Sequence, residues 1–355
     1  MIVINGDFLC RNLTGVERFA YEVTLRLDCL VEPGLLQLYV PKNGRNIPKL
    51  KNIQCLVSEV ECSFFPAWEH GPFRRYVMRN RATPLDFGNV TPLGTRGIVF
   101  IHDIYAKLYP GDFSGRRDRL INWYMRFMYR YATRHAKLLL TVSHFSQRQI
   151  AETYKIPLEK IHVVPNGWEH FKAVMADNSI LQQFPQLVDK GFYFTLGSLS
   201  LRKNLKWIAD YAERHPEDTF AISGKMLSGK MLSGLVPPEL ERLQTLPNIV
   251  LLGYVTDGQV KALMQRCRAF VLPSYYEGFG IPPLEALSCG ARIVVAKAAS
   301  LPEIYGDAAY YIDPDNTDVD LEELLAQPVA SPERVLETYT YDNAAKLLHG
   351  LLENL

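Results

Sequence analysis

The chain has 355 residues, 48% of them hydrophobic, and a formal net charge of +1. This length and composition leave room for two hydrophobic cores, and the balanced charge excludes a general attraction to nucleic acid. Six cysteines form no C-x2-C pair and no cluster with histidine, so reduced thiols in a cytosolic protein are the simplest account. The opening MIVINGDF reads as a strand rather than a signal sequence, and no apolar run approaches 18 residues. A cytoplasmic location is therefore expected, with contact to a membrane surface left open.

Ile2–Asn5 begins the first strand, and a polar loop runs to Thr14. From Gly15 to Leu27 the apolar residues Val16, Phe19, Ala20, Val23 and Leu27 share one helical face. Thr14-Gly15-Val16-Glu17-Arg18 opens that helix, where free backbone amides can meet a phosphate or Thr14 can serve as a plain N-cap. Gly34–Val40 and Asn52–Val57 read as further strands. The aromatic and basic stretch from Phe64 to Arg81 suits a helix with snorkelling arginines, and it could also face a membrane or an acceptor. Gly97–Ile101 is a buried strand that delivers His102-Asp103 at its carboxyl end. Arg116–Arg134 reads as a long helix whose Leu120, Trp123, Tyr124, Phe127, Met128 and Tyr131 follow helical spacing, so these are expected to face the core. Its arginines could still meet anionic headgroups. Lys137–Val142 is a strand, Ser143 a cap for the helix Phe145–Tyr154, and Ile161–Val164 a strand that leads into the turn Pro165-Asn166-Gly167.

Past a connector over Asp177–Lys190, strand Tyr193–Leu196 enters the loop Gly197-Ser198-Leu199-Ser200-Leu201-Arg202-Lys203. Asn204 is the expected cap of helix Leu205–Arg214. Adjacent cations ahead of a helix N-terminus suit a diphosphate, since arginine grips oxygens bidentately and lysine acts as a point charge. Thr219–Ser223 is a strand ending at Gly224, where GKMLS is repeated at once as Gly229–Ser233; a chance insertion and a specificity element both fit. Asn248–Leu252 is a strand followed by Gly253-Tyr254-Val255, and Asp257–Arg266 a helix.

The stretch Ala269–Ala296 parses as strand, loop, helix and strand, one parallel crossover unit. Its loop carries Glu277-Gly278-Phe279-Gly280-Ile281. Pro282 and Pro283 suit a first helical turn, Glu285 is expected in that same turn, and a left-handed cap is expected at Gly290. Ligands of open α/β sheets sit beyond the carboxyl ends of strands, beside helix N-termini that attract anions. A phosphate over Gly280–Pro283 would have one carboxylate on each side, which fits a diphosphate flanked by two polyols: a nucleotide sugar. In the plainer reading Glu277 is solvated and Glu285 only complements the helix dipole.

Glu277 and Glu285 with Gly278-Phe279-Gly280 between them resemble the donor-site signature of the retaining glycosyltransferases of family four. The likeness extends to the T-G-x-x-R loop at Gly15 and Arg18, to His102-Asp103, to Pro165-Asn166-Gly167 and to Ser300-Leu301-Pro302-Glu303. The resemblance implies an α/β protein of GT-B architecture, two Rossmann-like domains facing a cleft. Residues 1–172 would bind the acceptor, residues 173–340 the donor, and a terminal helix over 341–355 would cross back to the first domain. It implies His102, Glu277, Arg202 and Lys203 as catalytic, with Glu277 on the transferred sugar. Gly15, Ser198, Gly224, Val255, Gly278, Phe279, Gly280, Ile281 and Glu285 would hold the donor, Glu285 at the ribose, while Asp103 and Arg18 support loop or acceptor. Relatives often carry arginine where Ser198 stands, so Arg202 would take that role.

No metal or other cofactor is expected, because paired cations replace one and no D-x-D cluster follows a strand; Asp313-Pro314-Asp315 reads as a turn. The implied partners are a nucleotide-sugar donor and a saccharide or lipid-linked acceptor, with no nucleic acid. The resemblance favours rhamnosyl- or mannosyltransferases of bacterial surface-polysaccharide assembly, with glucose and galactose open. A sugar-nucleotide 2-epimerase, a phosphorylase or a non-catalytic binding subunit are the alternatives.

Overall fold

The computed structural model describes residues 1–113, 115–197, 200–224 and 241–355. Ser198 and all of the GKMLS repeat after Gly224 lie outside the described residues. The chain divides into two compact units, Met1–Gly167 with Tyr339–Leu355, and Trp168–Thr338. Residues 168–172, grouped by sequence with the first domain, belong to the second.

The first unit is a seven-stranded parallel sheet in the order β3-β2-β1-β4-β5-β6-β7. Its strands are β1 (Ile2–Asn5), β2 (Leu36–Val40), β3 (Gln54–Val57), β4 (Thr83–Asp86), β5 (Ile98–Phe100), β6 (Leu138–Thr141) and β7 (Ile161–Val163). Successive residues of a strand point to opposite faces. Ile2, Ile4, Leu38, Leu85, Ile98, Phe100 and Leu140 accordingly enter one core, with Phe19 and Val23 of α1 (Val16–Leu27). Val99 and Leu139 enter another, with Tyr129 and Ala132 of α2 (Arg116–His135) and Ile150 of α3 (His144–Tyr154). Helices thus cover both faces, as a parallel sheet of near-continuous apolar strands requires. The C-terminal helix (Tyr341–Glu353) lays Tyr341, Ala344, Ala345 and Leu348 into the first of these cores, and its Asp342 accepts from Arg26 Nε at 2.5 Å.

Sequence patterning gives no sign of one strand of this unit, and one expectation fails in part. Strand β4, a central strand, carries Pro84, which cannot donate to a ladder; its pairing with β5 begins only at Leu85↔Ile98. The long helix α2 turns only part of its expected apolar set inward, Met128 fully and Tyr124 and Tyr131 partly. Asn122, Met128, Tyr129 and Ala132 form the buried face, whereas Leu120 is 66% exposed, Trp123 64% and Phe127 43%.

The second unit is a six-stranded parallel sheet in the order β10-β9-β8-β11-β12-β13. These strands are β8 (Tyr193–Leu196), β9 (Phe220–Ser223), β10 (Ile249–Gly253), β11 (Ala269–Leu272), β12 (Ile293–Ala296) and β13 (Tyr310–Ile312). The helices that matter below are α4 (Leu205–Arg214), α5 (Asp257–Arg266) and α6 (Ile281–Ser288). In both sheets the winding direction reverses once, between β1 and β4 and between β8 and β11. A crevice opens beyond the carboxyl ends of strands at such a switch point, where open α/β sheets bind ligands.

Candidate active site

At the switch point of the second unit, β8 ends in the loop carrying Arg202 and Lys203, and β11 ends in the loop carrying Glu277. Tyr275 donates its backbone N–H to the carbonyl of Arg202 at 2.9 Å, which ties the two loops together. Asn204 begins α4 in the left-handed conformation without capping it through its side chain. Its amide instead donates to the carbonyls of Pro273 (3.0 Å) and Pro314 (2.8 Å), so the expected cap is a clasp between three loops.

Lys203 Nζ lies 2.7 Å from Glu277 Oε1, and Glu277 is only 6% exposed. Burial pushes the Glu277 carboxyl up, but the Lys203 and Arg202 cations outweigh it and hold the group below the usual carboxylate range. Glu277 is therefore a carboxylate at neutral pH, able to accept from a sugar hydroxyl. Its backbone carbonyl accepts from Ser300 Oγ at 2.9 Å, which fixes the loop from beneath. Phe279 is buried, and Gly278 lies between it and Glu277.

Gly280 stands at φ +89°, and a Cβ there would meet Leu301 Cδ2 at 2.6 Å, so only glycine fits. Tyr305 donates its hydroxyl to the Gly280 carbonyl. Helix α6 starts at Ile281, which puts Glu285 in its second turn rather than the first. The helix ends as expected: Gly290 is left-handed, and Ala291 N–H donates to Ala286 O at 3.0 Å. Glu285 Oε1 lies 3.0 Å from His170 Nε2, a partner that no local motif announces. Gly224 leaves β9 hydrogen-bonded to the Gly253 carbonyl (3.0 Å), with Val255 buried after β10.

The first unit has its own switch-point chemistry. Gly15, at φ +53°, occupies the N-cap of α1 in place of Thr14, and no side chain caps this helix. Arg18 lies 3.9 Å from Glu22. After β5, His102 is 7% exposed; its ring stacks on Phe100 and meets Phe19 edge-on. Nε2 lies 2.8 Å from the carbonyl of Phe87, and a carbonyl only accepts, so Nε2 carries the proton and Nδ1 is the acceptor. Burial pushes this imidazole down to about 4, which makes it neutral at physiological pH. Asp103 accepts from Tyr105 N–H at 3.0 Å and so orders the turn after His102.

Sequence reasoning missed a buried carboxyl pair beside this strand edge. Asn5 Nδ2, at the end of β1, donates to Glu69 Oε2 (2.5 Å) and to Asp86 Oδ1 (3.1 Å) at the end of β4. Trp68 Nε1 donates to Asn5 Oδ1 at 2.9 Å. Burial drives both acids well above the usual carboxyl range, and for Glu69 the neighbouring Asp86 adds to it. Acids raised in the folded state contribute stability below their unfolded values, near pH 4, and lose it as pH rises through the raised ones. Glu69→Gln removes one ionisation while its amide can fill the same hydrogen-bond positions. The melting temperature of this variant, followed by calorimetry from pH 5 to 8, is expected to fall less than that of the unaltered protein. Each kcal/mol recovered would appear as roughly 2–4 °C.

Among the described residues, one cluster has metal-ligand spacing: His215, Glu217 and Asp218. It follows the carboxyl end of α4, opposite the loop with Arg202, and Asp218 is taken by Tyr211 Oη (2.8 Å) and Arg268 (3.4 Å).

Two Rossmann-like domains, the second with a carboxylate paired to a lysine and a glycine-opened helix at its switch point, define the GT-B class. The description "Glycosyl transferases group 1" matches residues 178–344, and "Glycosyltransferase Family 4" matches residues 80–170. Each unit thus carries a stretch similar to a glycosyltransferase family, the longer of them just under half of the chain. The chain is 32% identical over 227 residues to the O-antigen chain mannosyltransferase B of Escherichia coli, a match over 63% of this chain and 58% of that one. With the O-antigen chain mannosyltransferase RfbU of Salmonella typhimurium the identity is 26%, over 63% of this chain and 59% of the relative. These matches therefore span less than two thirds of either relative. Among solved structures, Anabaena HepE in complex with UDP-glucose aligns over the whole of both chains with a TM-score of 0.69 at 17% identity.

Proposed function

We propose that the protein transfers a mannosyl residue, with retention, from a nucleotide diphosphate sugar to a saccharide or lipid-linked acceptor in surface-polysaccharide assembly. The observation that carries this is the Glu277–Lys203 pair beside Arg202 at the donor-type switch point. Mannose is favoured because both mannosyltransferase relatives act in O-antigen synthesis by name. In the step, the bond from the sugar C1 to the phosphate oxygen breaks with its electron pair on the leaving diphosphate. Lys203 and Arg202 stabilise that charge, so no metal is required. The leaving phosphate takes the proton of the acceptor hydroxyl as that oxygen bonds C1 on the same face. Glu277 holds the sugar, His102 accepts from one of its hydroxyls through Nδ1, and Glu285 accepts from the ribose.

The test is a transfer assay with GDP-mannose and an O-antigen oligosaccharide acceptor, run with and without excess EDTA, beside a thermal-shift screen of GDP, UDP and dTDP. Mannosyl transfer that survives EDTA is the expected result. Turnover of donor without acceptor would identify an epimerase instead, and nucleotide binding without any turnover a binding subunit. A ligand present at 100 times its dissociation constant adds about 2.7 kcal/mol of stability, enough to identify the base.

The proposal includes peripheral attachment to the cytoplasmic face of a membrane. Six free thiols fit that reducing compartment, and no helix among the described residues is long and apolar enough to cross a bilayer. The support for attachment is α2. At 100° per residue, its exposed Leu120, Trp123 and Phe127 form one stripe. Arg119, Arg126 and Arg130 are exposed along one flank of the stripe, with Arg116 and Arg134 at its ends. Apolar side chains bordered by arginines suit an anionic bilayer. Cosedimentation with phosphatidylglycerol-rich vesicles is expected to be strong, weakened by salt and lost in Trp123→Ser/Phe127→Ser. Equal binding to pure phosphatidylcholine, or no effect of the double variant, would overturn attachment through this helix.

A further inference from the structure

His170 lies three residues past Gly167, where the second unit begins, and no motif singles it out. Its side chain is 5% exposed, and its Nε2 lies 3.0 Å from Glu285 Oε1 on α6. A carboxylate only accepts, so Nε2 donates. The short helical turn that carries it, Glu169–Ala173, is tied to the rest of the second unit at both of its ends, Trp168 and Val174. Lys261 Nζ of α5 donates to the carbonyls of Phe171 and Val174, both at 2.7 Å. Trp168 Nε1 donates to the carbonyl of Leu336 at 2.9 Å, and Phe171 is itself buried. His170 is thus fixed on a rigid base, and it grips one oxygen of a carboxylate that is itself only 12% exposed.

We propose that His170 is a positioning residue for the nucleotide ribose: it holds Glu285 Oε1 so that Oε2 faces the ribose diol. Glu285 stands in the second turn of α6, and a glutamate has three side-chain torsions. Unrestrained, it would spend part of its time turned away from the ribose, and fixing those torsions before the ligand arrives lowers the entropy cost of binding. A donor on Oε1 also leaves the second oxygen as the better-placed acceptor, as outer-shell partners do for metal ligands. This rests on the reading of Glu285 as the ribose acceptor.

The test compares the unaltered protein with His170→Gln, which keeps an N–H donor, His170→Leu, which keeps bulk without a donor, and Glu285→Gln. The probes are GDP and 2′,3′-dideoxy-GDP, with the uridine pair in parallel, measured by calorimetry together with KM and kcat for transfer. The unaltered protein is expected to prefer the ribonucleotide by about tenfold or more, the size of a hydrogen bond to a charged group. His170→Leu should lose most of that preference by weakening the ribonucleotide alone, raising KM with kcat nearly unchanged, and His170→Gln should restore much of it. A merely structural role would weaken both nucleotides alike, or leave His170→Gln no better than His170→Leu, and either result overturns the proposal. If Glu285→Gln abolishes the preference while His170→Leu retains it, the ribose reading stands and the role of His170 falls. If the unaltered protein itself shows no preference, both fall together.

Discussion

Glu277→Ala is expected to lower turnover by at least two to three decades while nucleotide diphosphate binds as well as before, or tighter. A loss of that size corresponds to roughly 3–4 kcal/mol in the barrier. Glu277 is nearly fully buried, ionised, and 2.7 Å from Lys203. Removing its charge takes away the acceptor for the sugar and also frees Lys203 from its one described carboxylate partner. A diphosphate would then meet a less neutralised pair of cations, so its affinity should not fall. Glu277→Gln separates the two contributions, since it keeps the shape and drops the charge. A calorimetric dissociation constant for free nucleotide, beside kcat at saturating donor, checks the prediction. Truncating one member of a buried ion pair is also destabilising, so the melting temperature must show that the variant is folded at the assay temperature. Normal turnover per folded molecule would remove Glu277 from the reacting centre.

The stretch Ala269–Ala296 was legible because everything that shapes it is local. The apolar run, the glycines, the paired prolines and the capping glycine lie within 28 residues and agree with one another, and β11, α6 and β12 fall where they indicate. Strand β4 was not legible, because Pro84 argues against a central strand and no alternation compensates for it. The facing of α2 was partly misread, for a different reason. Large apolar residues occur on more than one side of that helix, and spacing alone cannot say which side meets the sheet. The partners that tune the site are long-range: His170 and Glu285 are 115 residues apart in sequence (285 − 170), and Asn5 reaches Glu69 and Asp86 across loops. Only the fold brings such pairs together. His102 was found by its place after a buried strand, but its tautomer and neutrality depend on Phe87 and Phe19, which arrive from other elements, as well as on Phe100 of its own strand.

That setting sharpens what His102→Ala should do. The imidazole is neutral with its proton on Nε2, so it can offer the sugar a lone pair at Nδ1 but not a positive charge. Losing one such hydrogen bond in the transition state, together with the sugar's fixed orientation, is expected to cost about two decades of turnover, on the order of 3 kcal/mol, with nucleotide affinity preserved. The ring is also packed between Phe100 and Phe19, so the variant leaves a cavity and should melt lower, by about 2 kcal/mol or more of stability. The pH dependence distinguishes this ring from an ordinary histidine. Its value is lowered from 6.5 to about 4, so the unfolded chain binds the extra proton first, and the native state loses stability as pH falls from 6.5 towards 4. Turnover should therefore show no ionisation of His102 between pH 6 and 8, and the acid-side loss of stability should shrink in His102→Ala. Lowered stability with near-normal turnover per folded molecule would leave the histidine only its bond to Phe87, and it would then be packing rather than part of the reaction.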